Sequence, residues 1–204
     1  AGATPFSMAV SRAGVAHVLY TDGRIYAVDV TNASCEATTF VPDPIGDFAL
    51  FGMSYARTGS GETLFVASPP SARTSQLARV NVDGGTPRPV GRMSVTGASS
   101  SLIELTATRH GLWGFVTTSS SEGMGALVEI DRDTAAIRRR VPLPVGQGAT
   151  ALALAWWAGH FYVFTHTEDT VVTRFDPRTK QTRSVARIDE RIVGAGTATC
   201  VPAV

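Results

Sequence analysis

One short pattern recurs five times along this chain, and its spacing constrains the fold more than any other sequence feature. The five segments align without gaps and begin at Phe6, Phe51, Ile103, Leu152 and Val193. Their starts are separated by 45, 52, 49 and 41 residues. A repeat period near 45 residues is typical of β-propellers, in which each repeat forms one small sheet, called a blade. The repeats therefore predict an all-β protein of this kind.

Each segment alternates between two kinds of residue. The first and third residues are mostly apolar, whereas the second and fourth are mostly small. The small pairs are Ser7 and Ala9, Gly52 and Ser54, Ala153 and Ala155, and Gly194 and Gly196. A period of two residues is typical of a β-strand with two different faces. Small side chains allow strands to crowd together, so we predict that these segments are innermost strands around a narrow central channel.

The first four segments are each followed by three further predicted strands, whereas the fifth is not. We therefore predict a single domain, residues 1–204, with four blades of four antiparallel strands. The approximate blade limits are 5–41, 48–93, 101–143 and 150–188, and a C-terminal strand in a closing segment, residues 191–201, completes the ring. The alternative is a five-bladed propeller with one incomplete blade. No stretch shows convincing helical periodicity.

The two cysteines, Cys35 and Cys200, lie 165 positions apart and match no Cys-x-x-Cys metal or redox motif. We predict that they form one long-range disulfide, which would lock the closing segment onto the first blade. Two buried thiols are the alternative. On the chain-entropy model such a bond stabilises the fold by about 4 to 5 kcal/mol, and it needs an oxidising compartment. The pair therefore favours a secreted protein or one on the cell-envelope exterior.

The charge and hydropathy of the chain argue against two classes of partner. The formal net charge is +1, and 17% of the residues are charged. The chain therefore lacks the basic field that attracts nucleic acid or an anionic membrane. No apolar run approaches the roughly 20 residues that span a bilayer. A monomer is the default expectation.

Segments along nearly the whole chain resemble a known group of proteins. They are PFSMAV, TNASC, FGMSYA, ETLFVAS, ELTATRHGLWGF, WWAGHFYVFT, VTRFDP and the terminal IVGAGTATC. Together they resemble uncharacterised myxobacterial secreted or lipoprotein-like β-propeller proteins. The resemblance implies an extracellular or envelope setting and a paired terminal cysteine. It implies no activity, since none is known for the group.

Glu104 departs from the repeat pattern. It occupies the second position of the third segment, where the other four segments have small residues. Its carboxylate is predicted to point toward the channel, and its burial would be costly without a partner such as an arginine, a water chain or a cation. We predict no resident cofactor, but Glu104 is the candidate ligand for a divalent cation in the central channel. A structural salt bridge or a solvated channel mouth is the alternative.

Aromatic residues cluster in the fourth repeat. Trp156 and Trp157 precede a predicted strand on which His160 and Tyr162 share one face. Aromatic rings with a few polar tips suit carbohydrate ligands, because the rings stack on the sugar while the tips form hydrogen bonds. We predict that these four residues bind a ligand. Packing between neighbouring blades is the alternative.

Three functions are compatible with this fold. The first, which we favour, is an extracellular, non-catalytic recognition module for a glycan, a peptide or a protein partner. The second is a metal- or carboxylate-dependent hydrolase or lyase with its site at the channel, where His110, Asp43, Asp47 and Glu104 could meet. No catalytic motif occurs, and we predict no catalytic residue. The third is a structural component of the envelope.

Overall fold

The computed structural model describes residues 2–41, 47–71, 74–95, 103–117 and 124–200, and its regular elements in these ranges are all β-strands. They form four sheets of four strands, and each sheet is one blade. All strand pairs within the sheets are antiparallel. The predicted propeller of four blades, each with four antiparallel strands, is confirmed.

In every blade the strands follow one another from the channel outwards in chain order. Blade 1 contains β1 (Pro5–Val10), β2 (Val15–Tyr20), β3 (Ile25–Asp29) and β4 (Cys35–Ala37). Blade 2 contains β5 (Gly52–Thr58), β6 (Gly61–Ala67), β7 (Thr74–Val80) and β8 (Arg88–Ser94). Blade 3 contains β9 (Ile103–Ala107), β10 (Leu112–Val116), β11 (Met124–Ile130) and β12 (Ile137–Gly146). Blade 4 contains β13 (Ala151–Trp157), β14 (His160–His166), β15 (Thr170–Asp176) and β16 (Gln181–Ile188).

A short polar side chain turns the chain at the end of the third strand of every blade. Asp29, Asn81, Asp131 and Asp176 each accept a hydrogen bond from the backbone N–H two residues later, at 2.7, 3.1, 2.9 and 2.8 Å. Such Asx turns direct the backbone back along the sheet into the fourth strand. These four side chains therefore have a structural role.

Three apolar cores lie between consecutive blades. They contain Leu19 and Phe51 between blades 1 and 2, Leu77 and Leu105 between blades 2 and 3, and Phe115 and Phe161 between blades 3 and 4. Each of these side chains is at most 1% exposed. Burial of these side chains stabilises the packing of neighbouring blades, since apolar area removed from water contributes about 25 cal/mol per Å².

The inner strands contact one another in the order β1, β5, β9 and β13. The closest approach is at Gly52, where an added Cβ would lie 2.9 Å from the Cα of Glu104 and closer still to the carbonyl oxygen of Ile103. The backbones of β5 and β9 can approach this closely only because residue 52 has no side chain. The small residues of the repeat therefore determine how tightly the ring closes.

The closing segment lies between β13 and β1. The Arg191 guanidinium donates to the Thr150 carbonyl oxygen at 2.9 Å, and the Thr197 hydroxyl donates to the Trp156 carbonyl oxygen at 3.0 Å. On the other side, a Cβ at Gly194 would lie 2.9 Å from the backbone nitrogen of Met8. Residues 191–198 thus take the fifth place among the inner strands, although they have no regular secondary structure. The predicted closure is present, formed by an irregular segment instead of a strand.

The predicted disulfide between Cys35 and Cys200 is not formed, because both cysteines are free and exposed. Cys35 begins β4, which lies three strand spacings from the inner strand of its blade, or about 14 Å. Cys200 lines a cavity at one end of the channel together with Arg57 and Trp156. A disulfide requires Cα atoms within about 7 Å of each other. Hydrogen bonds and packing, and not a covalent bond, therefore hold the closing segment.

Titration of the native protein with a thiol reagent is expected to detect two reactive thiols. The substitution Cys35→Ser is expected to change the free energy of unfolding by less than about 0.5 kcal/mol, because the side chain is exposed and makes no bond. Urea unfolding of both proteins measures this difference. A loss of more than about 2 kcal/mol, with no titratable thiol in the wild type, would contradict the free-thiol structure.

Candidate functional site

Glu104 lies inside the channel, as the repeat alignment predicts. Its side chain is buried, and its Oε2 atom accepts a hydrogen bond of 3.0 Å from the Ser7 hydroxyl of β1. Ser7 occupies the equivalent position of the first repeat. The two side chains therefore meet across the channel from blades 1 and 3, and the observed partner of the carboxyl group is a neutral hydroxyl.

Burial raises the pKa of Glu104 well above its ordinary value, and the hydrogen bonds from Ser7 and the Leu105 backbone offset this only in part. The raised pKa favours the neutral carboxylic acid in the folded protein. Among the residues that the structure describes, no group of three or more His, Cys, Asp or Glu side chains could hold a metal ion. A channel cation on Glu104 stays a prediction.

The four predicted ligand-binding residues of blade 4 lie on two opposite faces of the sheet. Trp156 faces blade 3, where its ring centroid is 4.7 Å from that of Phe161. Trp157 points to the other face, is 55% exposed and lies 6.4 Å from the ring of Tyr162. His160 shares the face of Trp157, with its Nε2 atom 3.7 Å from Asp176 Oδ2. Adjacent strand residues alternate between faces, so one surface cannot include both tryptophans.

A cavity of about 160 Å³ opens at the end of the channel where the inner strands end. It is lined by Arg57, Ala107, Thr108, Arg109, Trp156 and residues 197–200. The Thr106 hydroxyl accepts a hydrogen bond of 3.0 Å from the backbone N–H of Trp156, which holds β13 against β9 beneath the cavity. Trp156 is therefore the predicted ligand residue that the structure places at the channel mouth.

A groove between blades 3 and 4 continues from this cavity. Two further cavities, of about 310 and 690 Å³, share Trp113, Arg139, Phe161 and Pro177, and the smaller one also shares Arg109 and Trp156 with the first. We call the three together the mouth groove. Its cationic lining residues are Arg57, Arg109, Arg139, Arg140 and Lys180. Among its described lining residues Glu129 is the one carboxylate, and its Oε2 lies 3.2 Å from Arg139 Nε.

Sequence reasoning missed the arginines of the mouth, although the repeat alignment contains them. Arg12, Arg57 and Arg109 each stand six residues after the start of their inner segment. Because the inner strands run in the same direction, equivalent positions meet at the same end of the channel. Arg57 and Arg109 line the cavity, whereas the Arg12 guanidinium donates to the Ser60 carbonyl oxygen at 2.8 Å. The recurrence of arginine at the same position of three repeats is the sequence signal that could have predicted this cationic cluster.

The catalytic cluster considered from the sequence is not assembled. His110 follows β9 at the channel mouth, whereas Asp47 precedes β5 and accepts a hydrogen bond from the Gln76 side chain near the other end of the blade. Glu104 is enclosed between these two ends. Asp43 lies outside the described residues. His110 and Asp47 lie at opposite ends of the channel, so they cannot act together on one substrate bond.

Comparisons with known proteins identify the fold and no family. No family model matches the chain, and a search of curated proteins finds no match. An exo-β-1,3-galactanase from Phanerochaete chrysosporium, whose crystal structure contains β-1,3-galactotriose, is similar with a TM-score of 0.61 and 10% identity, over 91% of this chain and 53% of that one. The GH43B protein of the Bacteroides ovatus xyloglucan PUL is similar with a TM-score of 0.60 and 11% identity, over 89% of this chain and 40% of that one.

The chain thus spans about half the length of the galactanase and less of the second protein. At these identities the likeness shows the fold alone. Fold and comparisons together define the chain as a β-propeller. Within the described ranges, no helix has the length and apolar character needed to cross a membrane.

Proposed function

We propose that this protein is an extracellular, non-catalytic recognition module that binds an acidic glycan in the mouth groove. The observation that carries the proposal is the composition of the groove lining, with aromatic rings beside an excess of cations. Trp156 supplies an apolar ring surface, and Arg57 and Arg109 supply planar donors that pair with carboxylates. Ring-bearing anionic ligands match both features.

Binding is favoured over hydrolysis by the number and state of the carboxyl groups. Most glycoside hydrolases use two carboxyl groups about 5 to 9.5 Å apart on either side of the bond that breaks. The described lining of the groove contributes Glu129, which Arg139 engages, and Glu104 is enclosed in the channel. The extracellular setting is part of the proposal, and its support is the resemblance to secreted or lipoprotein-like propeller proteins. The cysteines give it no support, because they are free and form no disulfide.

Calorimetric titration with an oligogalacturonide and with neutral β-1,3-galactotriose tests this function. We expect the acidic sugar to bind more tightly, with an affinity that falls as salt is added, because exposed charges are screened. The substitution Arg109→Ala is expected to weaken binding about tenfold, which corresponds to about 1.4 kcal/mol. Trp156→Phe should weaken it less, since a ring surface remains.

The matched control is Arg24→Ala, which removes an arginine from the β2–β3 turn at the opposite end of the propeller. It is expected to leave the affinity unchanged. Equal binding of the acidic and neutral sugars, equal loss in both arginine variants, or no binding by a folded wild-type protein would each contradict the proposal.

A further inference from the structure

The mouth groove has cations at both of its ends. Its innermost cavity, at the channel, is lined by Arg57, near the end of β5, and by Arg109, which follows β9. Its outermost cavity, between the outer strands of blades 3 and 4, is lined by Lys180 in the turn between β15 and β16. Of the described residues that line the cavity between them, neither Arg57 nor Lys180 is one. The groove therefore presents an inner and an outer cationic site.

The cations of the two sites have no ion-pair partner. In the part of the chain that the structure describes, no carboxylate oxygen lies within 4.0 Å of a side-chain nitrogen of Arg57, Arg109 or Lys180. All three residues are exposed. A ligand carboxylate can therefore form charge-assisted hydrogen bonds with them without displacing a partner from the protein.

The middle of the groove differs from both ends because its cation is already engaged. Arg139 Nε lies 3.2 Å from Glu129 Oε2, and the same guanidinium lies 4.7 Å from the centre of the Trp113 ring. Trp113 and Phe161 form the floor here and are at most 5% exposed. A second carboxylate placed beside Glu129 would be repelled, since like charges at an interface are unfavourable. The middle therefore suits an uncharged part of a ligand.

The two cationic sites are too far apart to share one carboxylate. Arg109 follows an innermost strand, whereas Lys180 lies between the third and fourth strands of its blade. Neighbouring strands are about 4.8 Å apart, so two to three spacings separate the sites by about 10 to 14 Å. None of the three cavities has both residues among its described lining. A ligand with a single carboxylate therefore occupies one site at a time.

We infer that the mouth groove selects a linear acidic oligosaccharide, with one carboxylate at Arg57 and Arg109 and a second at Lys180. This inference rests on the proposed function and narrows its ligand from any acidic glycan to an oligomer that spans both sites. Once the first carboxylate is bound, pairing of the second is intramolecular, and such linkage raises the overall affinity by about 10² to 10⁴. A single acidic sugar gains nothing from the second site.

Calorimetric titration of the full chain with galacturonic acid and with its linear tetramer tests the inference. The tetramer has the same acidic ring and carries carboxylates at several separations. We expect it to bind about a hundredfold or more tightly than the monomer, because it can engage both cationic sites. The fully methyl-esterified tetramer has the same length and no carboxylate, and we expect it to bind more weakly than the acidic tetramer.

The substitution Lys180→Gln tests the outer site. Glutamine keeps most of the side-chain length and removes the charge, so we expect the ratio of tetramer to monomer affinity to fall about tenfold or more. The matched control is Arg178→Gln, which removes a cation from the same turn. The Arg178 guanidinium lies 3.8 Å from Asp176 Oδ1, and Arg178 does not line the outermost cavity. The affinity ratio in this control is expected to equal that of the wild type.

The outcomes separate this inference from the function on which it rests. Equal affinities of monomer and tetramer, or an equal change of their ratio in the two glutamine variants, would overturn the two-site inference while acidic-glycan binding stands. No binding of either acidic sugar, or equal binding of the acidic and esterified tetramers, would overturn both. Tighter binding of a peptide of five glutamates than of the acidic tetramer would also overturn both, because an acidic polypeptide would then be the ligand.

Discussion

Replacing Gly52 with alanine is expected to lower the free energy of unfolding by about 3 kcal/mol or more. The new Cβ would lie 2.9 Å from the Glu104 Cα and even closer to the Ile103 carbonyl oxygen. Both of these atoms belong to the backbone of β9, so no side-chain rotation can relieve the clash. The inner strands of blades 2 and 3 would have to separate, and the core between these blades would lose contacts.

Urea unfolding followed by circular dichroism measures this effect, and Gly61→Ala is the matched control. Gly61 begins β6, its φ is not positive, and the nearest atom to an added Cβ is the Thr58 carbonyl oxygen at 3.8 Å. We expect the control to change the free energy of unfolding by less than about 0.5 kcal/mol. If both alanine variants unfold at the same urea concentration, the backbones of β5 and β9 are not as close at Gly52 as the structure shows.

Replacing Glu104 with glutamine is expected to stabilise the protein at neutral and alkaline pH and to have little effect in acid. Burial raises the pKa of Glu104 in the folded chain above its ordinary value of 4.5. The unfolded chain therefore ionises first as the pH rises. The stability contributed by the neutral acid is complete below about pH 4.5 and is lost as the pH rises through the folded pKa. Glutamine does not ionise and avoids this loss.

The expected gain at pH 8 is about 2 kcal/mol, the order of the cost of an incompletely compensated buried polar group. Unfolding free energies of both proteins at pH 4 and pH 8 measure it, and the difference should grow with pH. The control is Glu36→Gln on the exposed strand β4, for which we expect the free energy of unfolding to change by less than about 0.5 kcal/mol. Parallel pH profiles for Glu104→Gln and the wild type would show that the carboxyl group is solvated.

Little of the candidate site follows from the sequence. The position of Glu104 in the channel was predictable, because a strand with small residues on one face has a determined orientation in a propeller. Its partner was not, since Ser7 lies 97 residues earlier in the chain. The mouth groove combines Arg57, Trp113 and Trp156 from three blades, and their proximity depends on how separate sheets pack.

The sequence by itself determined the blades. The two-residue alternation of the inner strands acts over a few residues, so it can be recognised without knowledge of distant contacts. The repeat period then determined the number of complete sheets. These are local properties, and the structure confirms them.

Only the tertiary structure decided what closes the ring and which surfaces stay open. It placed Trp156 and Trp157 on opposite faces of blade 4 and kept Cys35 apart from Cys200. Ring closure depends on the distance of each backbone from all the others. It is therefore a property of the packed sheets, which no short segment of the sequence can encode.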